Sequence, residues 1–428
     1  MITTKANSSL GELIRHHRKQ AEMTLVQLEK LTDVDKASIS RIESGQVKRP
    51  SLVNIQKIGC ILKISSEEII ERYIEVEERD EVLFTIFDKL IQGEKNISII
   101  SNVAMKVLQS PVVDSIELVK RLYEKVTIIE KPSIKLALFQ LIINYSRAHG
   151  IMPYIAKSML QVYLIERDDF SKFRSTYVSG KGILFFEDFL SSEERGLMYY
   201  KLGVHAYYLC IFEESVDLGR KALDAEISDN RMRANTIYFV CNCYYYLGDY
   251  EQTKKYLTLY NEYSLPEVKD NTKLIEAALH SANGKHQLAI SVLQENLPYC
   301  GDDTLLHVVN LLIILHLQTK NLSEIEMLFH LERRLLSIPC VTPFLQAELA
   351  HYYKLRGDYY IVTERIEEGI NCYLEAAAGY AKVDLIAKES DCLRLILNIH
   401  TNKKETMDVS TIEKLETYHN YKVKTSNL

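Results

Sequence analysis

From about residue 85 to its end this chain repeats one theme: short helix-period apolar patterns, segment after segment, with little sign of strand alternation. Gly (16) and Pro (8) are too sparse in 428 residues for a loop-rich sandwich, which leaves an all-α fold. The clearest units are "KLGVHAYYLCIFEESVDLGRKALD" (201–224), "ANTIYFVCNCYYYLGDYEQTKKYL" (234–257), "LIEAALHSANGKHQLAISVLQENLP" (274–298) and "LRGDYYIVTERIEEGINCYLEAA" (355–377). Ala277 and Ala289 hold the small positions of the third, and Gly357, Tyr360, Gly369, Tyr373 and Ala376 keep register in the fourth. Weaker units run over 97–129, 133–167, 172–190 and 305–337, with "SIPCVTP" as an irregular loop and "VSTIEKLETYHNY" (409–421) as a terminal cap. One helix pair cannot bury its own apolar face, so such units stack into an α-solenoid superhelix with a concave groove.

The first 66 residues are different. They carry 11 Lys/Arg against six Asp/Glu, a net of +5, which leaves −11 for the rest of a chain whose formal charge is −6. A basic head on an acidic body fits a polyanionic partner for the head alone. Five short helices are predicted there. Thr24 caps "TLVQLEKL", "TDVD" makes a tight turn, and "KASISRIESG" stops at Gly45; helices beginning at Pro50/Ser51 and at "SSEE" follow the one that starts near Leu10.

Two helices joined by that turn make a helix-turn-helix, whose second helix lies in the major groove. Val34, Ile39 and Ile42 face the core. Asp35, Lys36, Ala37, Ser38 and Arg41 are placed to meet base edges, and Ser40 also points away from the core. Lys48, Arg49 and Ser51, at the start of the next helix, suit phosphate; Thr24 and Gln27 complete the DNA-binding set. His16 and His17, adjacent on a helix, point in different directions and do not form a metal pair.

The run S-x-S-R-I-E-x-G followed by R-P-S resembles the Cro/repressor-type (XRE) helix-turn-helix family over about 60 residues. The chain has Leu25 where that family usually has a polar residue, Glu29 where it favours Ala, and Asp33 where it favours Gly. The body resembles tetratricopeptide (TPR) repeats. Threading that repeat onto the sequence points Asn144, Arg147, Tyr200, Tyr207, Arg233, Asn235, Tyr238, Asn242, Tyr245, Asn310, Lys354 and Asp358 into the groove. An Asn side chain there can bond both N–H and C=O of an extended peptide. The tyrosines could equally serve inter-helix packing, and Lys354 and Asp358, four apart, could pair with each other.

Head and body together resemble the RRNPP peptide-pheromone receptors of Gram-positive bacteria and their phages. The arbitrium-receptor (AimR) branch is the nearest in pattern, through residues 348–384, with the NprR and PlcR branches next. The resemblance implies a DNA-binding transcriptional regulator, homodimeric on a pseudo-palindromic operator, whose affinity is set by a short signalling peptide in the groove; in the arbitrium branch, peptide releases DNA in a lysis–lysogeny switch. Two other readings share the body: a Rap- or NprR-like protein that sequesters a response regulator, and a helix-turn-helix regulator whose repeats are a scaffold with no peptide.

The expected organisation is a DNA-binding domain over 1–66, an acidic helical linker over 67–90, a TPR superhelix over 91–400 for peptide and dimerisation, and a capping helix and tail over 401–428. The linker expectation rests on eight acids within 65–84. Eight cysteines without a C-x-x-C read as buried reduced thiols, and the longest apolar run, "VVNLLIILHL" (308–317), is too short to span a bilayer. With no apolar signal segment, the expected compartment is the cytoplasm, with no membrane partner. No H-E-x-x-H, P-loop or nucleophile elbow is present, and "VSGKG" (178–182) reads as a loop. Neither enzyme activity, cofactor nor metal is expected.

Overall fold

The computed structural model describes residues 9–93, 96–225, 228–403 and 407–426, and every regular element among them is helical. The chain divides into two compact units, Met1–Ile165 and Glu166–Leu428.

The first unit opens with α1 (Leu10–Gln20), α2 (Leu25–Thr32), α3 (Lys36–Glu43), α4 (Leu52–Ile61) and α5 (Ser66–Tyr73). Ser9 with Glu12, and Thr24 with Gln27, form reciprocal capping boxes that satisfy amides left open at the starts of α1 and α2. The turn between α2 and α3 passes through Asp33 at φ +55°, left-handed backbone that a short polar side chain tolerates. Val34, Ile39 and Ile42 are buried, as their spacing predicts.

Gly11 lets α1 cross the end of α3, because a Cβ there would come 2.4 Å from the Ile42 carbonyl oxygen. Beside that crossing, Arg18 donates through Nε and Nη2 to both carboxylate oxygens of Glu43, at 2.6 and 2.7 Å. Its Nη1 donates to the Met23 carbonyl at 2.8 Å.

A separate acidic helix over 67–90 is not what the structure holds. Helix α5 ends at Tyr73, the chain turns, and α6 (Asp80–Gln92) begins anew. Two of the acids, Glu77 and Asp80, are buried and partnered, while Glu71, Glu75, Glu78 and Glu81 remain exposed. Glu77 is 3% exposed and accepts from Arg79 Nε and Nη2 at 2.9 and 2.7 Å. The Tyr73 hydroxyl sits 2.9 Å from the same carboxylate and 3.1 Å from the Pro50 carbonyl oxygen. Arg121 reaches Asp80 at 2.6 Å and Lys125 reaches Asp88 at 2.8 Å, both from a later helix. With α7 (Ile97–Leu108), α8 (Ser115–Thr127), α9 (Pro132–His149) and α10 (Met152–Glu166), one hydrophobic core runs without interruption from Leu10 to Ile151.

Burial pushes the Glu77 carboxyl up, but hydrogen bonds from Arg79, from backbone amide and from Tyr73 outweigh it and carry the group down to about 2. Its stabilisation is therefore present above the unfolded-chain value of 4.5 and is lost as pH falls toward 2. Glu77→Gln is expected to lower the urea midpoint of unfolding at pH 7, with the gap to the wild type closing between pH 4.5 and 2. A gap that is constant with pH would contradict this account of the connector.

The second unit contains α11 (Phe173–Lys181), α12 (Ser192–Tyr208), α13 (Phe212–Asp224), α14 (Asn230–Tyr246), α15 (Tyr250–Tyr260), α16 (Val268–Ala282) and α17 (His286–Asn296). It continues through α18 (Asp302–Gln318), α19 (Leu322–Leu328), α20 (Glu332–Ser337), α21 (Pro343–Val362), α22 (Ile366–Ala381), α23 (Ile386–Lys403) and α24 (Val409–Ser426). Successive helices pack on one another, α12 through α15, α16 through α18, and α21 through α23, with α18 on α21 and α24 on α22. This is a solenoid-like helical body. Its two ends also meet: Phe344 of α21 lies 5.6 and 5.5 Å, ring to ring, from Tyr207 and Tyr208 of α12. The Arg174 amide donates to Asp384 at 2.8 Å.

One loop expectation changes here. "VSGKG" is the end of α11 running into a 3-10 segment from Gly182, and is not a loop. The two G-D-Y tripeptides also differ. Gly248, at φ +77°, is the turn between α14 and α15, whereas Gly357 lies inside α21, where a Cβ would come 2.7 Å from the Tyr373 ring. Close backbone approach of α21 to α22 therefore explains that glycine, and the turn falls later, at Glu364 with φ +62°. Of the thiols, Cys60 and Cys210 are exposed, against the expectation of burial. Burial pushes Cys241 and Cys243 up to about 12.

Candidate functional site

The first unit presents a polar face built on α3. Lys36, Ala37, Ser40 and Arg41 are exposed and Ser38 is half-buried. Arg41 lies back on its own helix, Nε 3.3 Å from the Ala37 carbonyl and Nη2 3.4 Å from Ser38 Oγ, so long weak bonds must release before it extends. Asp35 serves first as the helix cap: its oxygens accept from the amides of Ala37 and Ser38 at 3.1 and 2.8 Å. A hydrogen bond from the Ser38 side chain, together with those amides, holds its carboxyl below the ordinary value. Glu29, where the family favours Ala, accepts from the Lys36 amide at 3.0 Å and adds a second cap to the same helix.

Thr24 and Gln27 are exposed, but the Gln27 carbonyl oxygen is taken by the Thr24 amide at 2.8 Å, leaving the side-chain NH2 to face outward. Lys48 is exposed. Ser51 begins α4 with its hydroxyl unused by the cap, so hydroxyl and first-turn amides are open to phosphate. Arg49 is ion-paired with Glu78 of the acidic turn. The face is thus pre-formed, with one phosphate-binding candidate held by a side chain of the same unit.

The twelve groove candidates are divided between the two compact units. Asn144 and Arg147 are exposed on α9, in the first unit. In the second unit, Tyr200 is within hydrogen-bonding reach of Asn235, and burial raises its hydroxyl. Asn242 donates to the Tyr238 carbonyl one turn back at 2.9 Å. The Tyr245 hydroxyl is 3.5 Å from the Ala278 carbonyl.

Other candidates make contacts within the fold. Arg233 Nη1 donates to the Leu223 carbonyl at 3.1 Å, near the end of α13. Tyr238 stacks on Tyr260 with ring centres 5.0 Å apart. Lys354 pairs with Asp358 at 2.6 Å, and Asp358 also accepts from the Tyr373 hydroxyl at 2.9 Å. Asn310 is 3% exposed and does not face solvent. Its Nδ2 donates to the Glu348 carboxylate at 2.9 Å and to the Glu348 carbonyl at 3.0 Å.

That last bond leads to a cavity of about 260 Å³ where the two ends of the second unit meet. Phe173, Tyr207, Tyr208, Phe212, Tyr246 and Phe344 supply aromatic walls, and Glu348 and Lys388 supply charge. His307 stacks on Phe344 at 4.6 Å, and its Nδ1 lies 3.2 Å from Glu348 Oε2. Burial pushes the Glu348 carboxyl up, but His307, His351 and Asn310 overcome it and hold the group ionised, well below the usual carboxylate range. Burial also keeps His351 below its ordinary value. Of the cavity wall, only Tyr207 was legible beforehand. The missed signal was polar residues inside apolar helical runs: His307 with Asn310 three apart, and Glu348 with His351 three apart.

Among the described residues no group of His, Cys, Asp and Glu is placed to hold a metal ion, and no helix is long and apolar enough to cross a membrane.

A helix-turn-helix family model (HTH_3) matches residues 14–69, the stretch from α1 into α5. No curated protein matches the chain. Among solved structures, the chain is similar to PlcR of Bacillus thuringiensis, solved in complex with the peptide PapR7 and DNA. That similarity is 14% identity over 90% of this chain and 98% of that one, at a TM-score of 0.27. It is also similar to a Signal Transduction ATPase with Numerous Domains protein from Pyrococcus horikoshii, which carries a tetratricopeptide repeat sensor. Here identity is 13% over 97% of this chain and 72% of that one, at a TM-score of 0.39. At these scores the fold assignment rests on the helices themselves.

Proposed function

We propose that this chain, whose head is an XRE-type helix-turn-helix domain, is a sequence-specific transcriptional regulator and that its second unit receives a short peptide that changes operator affinity. One observation carries the reading: an exposed, doubly capped recognition helix and an aromatic cavity with an ionised carboxylate belong to different compact units of one chain. An input separate from the output is what a ligand-controlled regulator requires. The finer reading is a pheromone receptor of the arbitrium kind, acting as a homodimer whose two heads meet half-sites one helical turn, about 34 Å, apart.

The test is operator selection from random duplexes with the purified chain, followed by binding with and without short peptides encoded beside its gene. A peptide that shifts operator affinity or oligomeric state supports the reading; affinity and oligomeric state unmoved by every such peptide would overturn it. In the same assay Arg41→Ala is expected to cost about 1–3 kcal/mol and relax specificity, and Lys48→Ala to weaken all sequences alike and reduce the salt dependence. Equal losses on operator and random DNA for Arg41→Ala would remove it from base reading.

A further inference from the structure

We propose that the cavity is a cation subsite: Glu348, set among aromatic faces, takes an ammonium or guanidinium group carried on an apolar body, one residue of the bound peptide. The inference rests on the peptide-sensor reading and specifies what the peptide must contain.

Size comes first. About 260 Å³ lies below the range of roughly 300–1,000 Å³ for drug-sized pockets, so it accepts one side chain or chain end and not a whole peptide. Chemistry follows. The Glu348 carboxylate is 16% exposed and opens on the cavity, and among the described residues no lysine or arginine lies within 4.0 Å of it. Its contacts are the Asn310 amide at 2.9 Å and the His307 ring nitrogen at 3.2 Å. A buried carboxylate costs several kcal/mol unless it is paired, and His307 offers at most one shared proton. Asn310 also holds the Glu348 backbone at 3.0 Å, so the carboxylate is fixed in place before a ligand arrives.

The walls agree with that assignment. Tyr207, Tyr208, Tyr246 and Phe344 line the cavity, and aromatic walls attract a cation and exclude the water that would compete for it. The other charged lining residue, Lys388, keeps its ammonium 5.6 Å from the centre of the Tyr380 ring, so the protein already satisfies one cation this way at the rim.

The test uses the full chain and two random hexapeptide libraries, one with free N-termini and one N-acetylated, with bound peptides read by mass spectrometry. Bound peptides are expected to share a cation beside an aliphatic or aromatic group. If acetylation removes the enrichment, the cation is the terminal ammonium; if Lys or Arg persists, it is a side chain. Replacing that cation in a selected peptide by a neutral isostere, citrulline for Arg or acetyl-lysine for Lys, should weaken binding about 10- to 100-fold with no change to the protein. Glu348→Gln should produce the same loss and make the charged and neutral peptides equal. Bound peptides without a cation, or an isostere that binds within twofold, would overturn the subsite and leave the peptide sensor standing. Recovery of no peptide from either library overturns both.

Discussion

Glu43→Ala is expected to destabilise the first unit by about 3–5 kcal/mol, because it leaves the Arg18 guanidinium uncompensated inside the protein. The pair is bidentate at 2.6 and 2.7 Å, with side chains only 13% and 7% exposed, and it raises the guanidinium above its ordinary value. It lies where α1 crosses the end of the recognition helix, at the contact that Gly11 keeps close. Replacing both partners with apolar residues of similar size, Arg18→Met with Glu43→Leu, should cost far less, since no charge is then stranded. Urea unfolding of the two variants checks this. A loss below about 1 kcal/mol for Glu43→Ala would show that water enters the crossing and screens the pair. The variant should lose operator binding by unfolding the head, and excess operator should partly restore its melting temperature.

The second large effect concerns where the head ends. A chain cut after Arg79 is expected to melt at least roughly 10 °C below one cut after Ile165, and the longer piece should unfold in a single transition. Cutting at 79 removes the Ser110 hydroxyl bond to the Glu78 carbonyl at 2.6 Å and α7, which packs on α5. It also uncovers the part of the core where residues such as Leu83, Phe84 and Phe87 bury. Circular dichroism melts of the two pieces measure it. Equal melting temperatures would make the head an independent domain and return the acidic run to the role of a simple linker.

The head was legible in the sequence because its signals are local. Caps at Thr24 and Ser65, the turn at Asp33 and the spacing of Val34, Ile39 and Ile42 each lie within a few residues of what they determine. The connector was misread for the opposite reason. The acidic run looks wholly solvated until Arg121, some 40 residues on, is seen to reach Asp80 and Glu81. In the body, repeat spacing located the helices but not their rotation. Asn310, which the threading turns into the groove, is buried instead, and its partner Glu348 is 38 positions away, where no periodicity links them. Gly357 carried a turn signature inside a helix, because the need of α21 and α22 to touch overrides the local pattern.

The cavity's lining comes from two stretches, 173–246 and 343–388, with nearly a hundred residues of chain between them. The two stretches already touch, Phe344 against Tyr207 and Tyr208 and the Arg174 amide on Asp384, so a peptide residue in the proposed subsite would reinforce a closure the chain makes by itself. Substituting Asp384, which joins the two stretches at the Arg174 amide without lining the cavity, would then weaken the proposed binding from outside the site.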